Sequence, residues 1–184
     1  MPFTKCEIPG LIIVEPTVFA DSRGYFFEAY NQAVFNQNGI TCNFVQDNQS
    51  KSSYGVIRGL HYQLNPHAQS KLVRVLEGVI YDVAVDIRKG SPTFGKHFGI
   101  ELSADNKKQL LIPAGFAHGF SVLSETAVVM YKCDALYNKQ SEGGIRFDDV
   151  TLGIDWKVEP ARAIVSEKDL QLPVFKDSVS NFQF

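Results

Sequence analysis

The sequence predicts an all-β domain, a sandwich or barrel of short strands with few helices, and three observations carry that reading. Aromatic and β-branched residues gather in short runs divided by Gly, Pro, Asn and Asp, as strands divided by turns require. Val79 to Ile87 alternates with period two, its odd positions all apolar or aromatic and Asp82 and Asp86 at even ones. Only two segments carry helix signals, and many short strands so spaced fit a closed or two-layered sheet.

The predicted strands run over residues 11–14, 44–46, 56–63, 71–76, 79–87, 97–102, 109–112, 118–123 and 127–133. Glu77-Gly78 makes a tight connection between the fourth and fifth of these. A short helix over residues 31–37 is closed by Asn38-Gly39, since glycine tolerates the left-handed position after a helix. A second begins at Ser166, in Ser166-Glu167-Lys168-Asp169, and stops before Pro173. Nothing in the chain reads as a repeat, a low-complexity stretch or a linker. One domain over 1–184 follows, with residues from about 160 to 184 packing on the barrel.

Composition narrows the function. The 184 residues are 45% hydrophobic and 21% charged, enough to bury a core without staples. A net charge of −2 argues against a nucleic-acid groove or a polybasic membrane patch, so anion binding must rest on a few placed cations. Cys6, Cys42 and Cys133 lack Cys-x-x-Cys spacing and read as reduced thiols. The first residues show no signal-peptide pattern and no run reaches membrane-spanning length, so a cytoplasmic location is expected.

Chemistry concentrates in a few places. In Arg58-Gly59-Leu60-His61-Tyr62-Gln63, simple alternation puts His61 and Gln63 on one face and Arg58 on the other; a bulge at Gly59 would bring Arg58 and His61 to one pocket. His61 alone fits a structural histidine as well as a base. Lys71 shares its parity with Val73 and Val75, which suits either an ammonium awaiting an anion or an edge lysine reaching water. By parity, Asp82 is either a solvent-facing acid or a carboxylate in the cavity that biases Lys71 or His61. Tyr131, taken alone, reads as a core tyrosine. Pro113-Ala114-Gly115-Phe116-Ala117-His118 matches the second half of the cupin signature, whose histidine ligates a metal, yet the sequence contains no His-x-His for the first half.

Ordered blocks then make a specific pattern. Phe19, Asp21, Arg23, Gly24, Phe26 and Glu28 are followed by Gln46-Asp47-Asn48-Gln49-Ser50, Arg58 to Gln63, and Pro113 to Phe120. Tyr131-Lys132-Cys133, Glu142 to Arg146 and Ser166 to Asp169 complete the series. From about residue 11 to residue 173 the chain thus resembles the dTDP-4-dehydrorhamnose 3,5-epimerase family. The resemblance implies an all-β, cupin-type jelly-roll sandwich or barrel with a few short helices. It also implies a substrate that is a dTDP-linked 4-keto-6-deoxyhexose, inverted at the carbons flanking the ketone, with no cofactor and no metal.

The same resemblance implies roles. His61 is the base and Asp169 its orienting partner, Lys71 steadies the enolate oxygen, and Tyr131 reprotonates the opposite face. Ser166-x-x-Asp169 read by itself is a capping-box variant, in which Asp169 would only satisfy a backbone donor. Arg23, Arg58 and Lys168 suit the diphosphate; Phe26, Glu28, Gln46, Asp47, Asn48 and Glu142 suit the base and sugar, and His118 is a polar support near Lys71. A homodimer is implied, with residues from about 1 to 30 completing the partner's site. Rival readings are a 3- or 5-monoepimerase, a 3,4-ketoisomerase, and a cupin that binds nucleotide sugars without catalysis. The last would not need His61, Lys71 and Tyr131 together.

Overall fold

The computed structural model describes all 184 residues, and strands are its main regular structure. Five strands come first: β1 (Phe3–Lys5), β2 (Ile12–Val14), β3 (Phe19–Asp21), β4 (Gly24–Phe26) and β5 (Gln46–Ser53). Seven more follow: β6 (Val56–Gln63), β7 (Lys71–Glu77), β8 (Val79–Asp86), β9 (His97–Ser103), β10 (Gln109–Ile112), β11 (Phe116–Val122) and β12 (Thr126–Cys133). β13 (Glu142–Gly144) and β14 (Ile164–Val165) follow, with helices α1 (Gln32–Gln37) and α2 (Glu167–Leu170).

Two sheets face each other as a jelly roll of the cupin type. One has the order β1-β2-β10-β7-β12-β5, and the other β13-β6-β11-β8-β9 with β14 added parallel to β6. Between them lies a core of Val73, Val75, Ile80, Ala84, Leu110, Phe116, Phe120 and Val129. The alternation in β8 is used on both sides. Val83 and Val85 belong to a second cluster with Ile57, Leu60, Ile145, Trp156 and Phe182. The even positions point between the sheets, where Asp82 and Asp86 are fully buried, which removes the solvent-facing reading of Asp82. Asp86 is satisfied there by Arg88 at 2.7 Å, Ser91 at 2.6 Å and Thr93 at 2.7 Å.

Both predicted helices form. Asn31 caps α1 by accepting from Ala33 and Val34, and Gly39 follows it at φ +78°. Ser166 caps α2, accepting from the Asp169 backbone N–H at 3.1 Å. Where the chain departs from expectation, polarity is the cause. The strand expected over residues 44–46 is the eight-residue β5, whose alternation is hidden because its inner row, Gln46, Asn48, Ser50 and Ser52, is polar throughout, the first two lining the cavity. The strand expected over 118–123 runs over Phe116–Val122 instead. The β3–β4 hairpin, turned at Gly24 with φ +128°, was not anticipated.

Candidate active site

The site forms where the two sheets open at one end of the barrel. Its position depends on a bulge in β6. His61 pairs with His118 and Arg58 with Phe120, so one extra residue of β6 is accommodated against β11. Gly59 sits in the bulge at φ +119°, and a Cβ there would lie 2.6 Å from the Gly119 Cα. The insertion rotates Arg58 onto the face of His61, as the bulge reading of the sequence anticipates.

A cavity of about 310 Å³ is lined by Gln46, Asn48, His61, Lys71, Tyr131 and Glu142 together with Tyr62, Gln63, Gln69 and Tyr137. His61 Nε2 donates to Asp169 Oδ1 at 2.7 Å, and the other carboxylate oxygen accepts the Gly59 N–H at 3.2 Å. The carboxylate can only accept, so a neutral His61 keeps Nδ1 as its free acceptor. Burial works to raise the Asp169 pKa, but the His61 and Gly59 hydrogen bonds outweigh it and hold the carboxyl below the usual range. Asp169 therefore serves the dyad, while the capping of α2 falls to the Ser166 hydroxyl.

Across the cavity, Lys71 and Tyr131 come from the facing sheet. Lys71 Nζ stands 5.8 Å from the Tyr131 ring centroid and enters none of the protein's ion pairs. Burial lowers its pKa, opposed by the fields of Cys133 and Asp82. Tyr131 is raised by burial and by Cys133, with Arg58 opposing. An ammonium held half-buried without an anion is poised for an oxygen that acquires negative charge. Beneath this pair, His118 Nε2 donates to both oxygens of Asp82, at 2.9 and 3.0 Å, so His118 supports the floor rather than lining the cavity.

The rim holds Lys168, paired with Glu142 at 2.8 Å, which depresses the Glu142 carboxyl pKa. Arg58 reaches Ser52 at 3.0 Å. Other expected residues are not assembled here within one chain. Asp47 points to the opposite face of β5 from Gln46 and Asn48 and pairs with Lys132 at 3.0 Å. Glu28 accepts from Asn31 at the start of α1. Arg23 and Phe26 stand on the β3–β4 hairpin, which lines a separate open concavity and presents Phe26 at 70% exposure. Conversely, Tyr137, Gln69 and Tyr62 line the site without having been singled out in the sequence. Tyr137 lies in the loop after β12, where no periodicity marks a side chain's direction.

No set of three or more His, Cys, Asp or Glu side chains is gathered as a metal cage. A jelly roll with a histidine–carboxylate dyad, an ion-free lysine and a tyrosine around one cavity defines a cupin-class barrel built for proton transfer. The family model described as dTDP-4-dehydrorhamnose 3,5-epimerase matches residues 5–177, and the chain belongs to that family. It is 53% identical over 179 residues to the dTDP-4-dehydrorhamnose 3,5-epimerase of Shigella flexneri, covering 97% of this chain and 98% of the relative. The crystal structure of the enzyme of that name from Elizabethkingia anophelis superposes with a TM-score of 0.92 at 58% identity, covering 96% of this chain and 97% of the other. A Legionella pneumophila epimerase in complex with dTDP-4-keto-L-rhamnose gives a TM-score of 0.92 at 46% identity, covering 96% and 93%.

Proposed function

We infer that the chain epimerises dTDP-4-dehydro-6-deoxy-glucose at C3 and C5, giving dTDP-4-dehydro-L-rhamnose. The observation that carries this reading is the convergence of the His61–Asp169 dyad, Lys71 and Tyr131 on one cavity. A proton α to a ketone leaves when the electron pair can move onto the carbonyl oxygen. His61 Nδ1 takes that proton, Asp169 stabilises the resulting imidazolium, and the Lys71 ammonium receives the enolate oxygen. Tyr131, contributed by the opposite sheet, returns a proton to the other face of the carbon. Both inversions use the same chemistry on the two sides of one ketone. Turnover is expected to survive exhaustive chelation, monitored by proton NMR of the product sugar; loss restored by a divalent ion would overturn the metal-independent scheme.

We further propose that the protein works as a homodimer in the cytoplasm, each site completed by its partner's hairpin. No helix is long and apolar enough to cross a membrane. The first 30 residues divide into two parts. β2 pairs with β10 of its own barrel, whereas β3–β4 leaves Phe19, Tyr25 and Phe26 more than half exposed and Arg23 reaching only Asp21. An aromatic and a cation so displayed suit a planar base and a diphosphate in a neighbouring site. Subunit exchange between two inactive variants, Arg23→Ala and His61→Asn, is expected to restore activity, because one site of each heterodimer carries neither lesion. Verified heterodimers without activity would show that each chain builds its site alone.

A further inference from the structure

Gln63 lies two residues beyond His61 on β6, is 5% exposed, and borders the cavity. Its carboxamide is fully committed to main chain. Nε2 donates to His67 O at 2.6 Å and to Leu136 O at 3.3 Å, and Oε1 accepts the Asn138 N–H at 2.7 Å. Both amide protons are spent, so Gln63 has no donor left for a ligand. The residues it grips flank Tyr137, whose own N–H donates to Gln46 Oε1 at 3.0 Å. Two amides thus hold three successive residues, 136 to 138, in one geometry. The same two loops are joined further on by Gln69 donating to Ala135 O at 2.7 Å and by the Leu64 N–H donating to Ser141 O at 2.8 Å.

The Tyr137 ring gains from this fixation because little else restrains it. It is 55% exposed at the cavity mouth, beside Glu142, which is itself tied to Lys168. An aromatic face at the lip of a site suits the planar part of a ligand, but only if its backbone is already ordered when the ligand arrives. A loop free to move would lose that ordering entropy on each binding event.

We propose that Gln63 is a positioning residue that sets affinity for the nucleotide part of the substrate by pre-ordering the Tyr137 loop, without touching the ligand. This rests on the reading that the cavity accepts a dTDP-sugar. Gln63→Met keeps the side chain's length and neutrality while leaving three main-chain groups unpaired. It is expected to weaken dTDP binding about tenfold and raise KM similarly, with kcat at saturation within about threefold of the parent. In a Tyr137→Ala background the same change is expected to add less than about twofold, because the ring it positions is already absent. If Gln63→Met does not fold, Gln63→Glu, which retains the acceptor for Asn138, is measured with the same expectations. Unchanged dTDP affinity, an equal fall in kcat, or full additivity with Tyr137→Ala would each overturn the proposal. Failure of the unmutated protein to bind dTDP would instead overturn the functional reading beneath it.

Discussion

His61→Asn is expected to abolish deuterium uptake from solvent at both carbons flanking the ketone, lowering turnover about 1,000-fold while dTDP still binds. The magnitude follows from the role. A general base contributes roughly two to four orders of magnitude, and no other acceptor in the cavity is oriented by a buried carboxylate as His61 is by Asp169 at 2.7 Å. Asparagine preserves a donor toward Asp169, so the carboxylate is not stranded and the bulge at Gly59 keeps its hydrogen bond. Lys71 comes from the facing sheet and must keep its proton to steady the enolate oxygen, so it cannot also accept one. It makes a poor substitute base. Deuterium uptake persisting at the parent rate would remove His61 from the mechanism.

Tyr131→Phe is expected to separate exchange from inversion. The base and its dyad remain, so proton abstraction continues within about threefold, and His61 can return a solvent-derived deuteron to the face it came from. Net epimerisation should fall about 100-fold, because the donor on the opposite face is gone. The raised pKa of Tyr131, caused chiefly by burial, keeps its hydroxyl protonated through neutral pH, as an acid requires. Deuterium appearing in unreacted substrate with little product is the expected NMR signature. Equal loss of exchange and product would point instead to a tyrosine that only shapes the cavity.

How far the sequence revealed all this depended on what each residue faces. β7, β8 and β12 lie against apolar layers, so their alternation was visible, and with it the parity of Lys71 and Asp82. β5 was nearly invisible because its inner side chains are polar, even though Gln46 and Asn48 within it stood out as site residues. The Arg58–His61 alignment was legible only through Gly59, since strict alternation would have separated them. His61 and Asp169 are 108 residues apart, and only the ordered motif series suggested that they meet. Tyr137 and the bonds of Gln63 were beyond reach, because loop geometry set by side chain–main chain hydrogen bonds leaves no periodic trace. Asp47 stands in the same motif, and the pleat turns its side chain to the opposite face from Gln46 and Asn48.

The central claim, that one cavity inverts both carbons beside the ketone by proton abstraction and return, is tested most directly in deuterated water. The protein is incubated with dTDP-4-dehydro-6-deoxy-glucose, and the product is read by proton NMR. The account predicts dTDP-4-dehydro-L-rhamnose carrying deuterium at both C3 and C5, each signal lost in step with inversion. Inverted product retaining its original protons at both carbons, or deuterium at one carbon only, would contradict it.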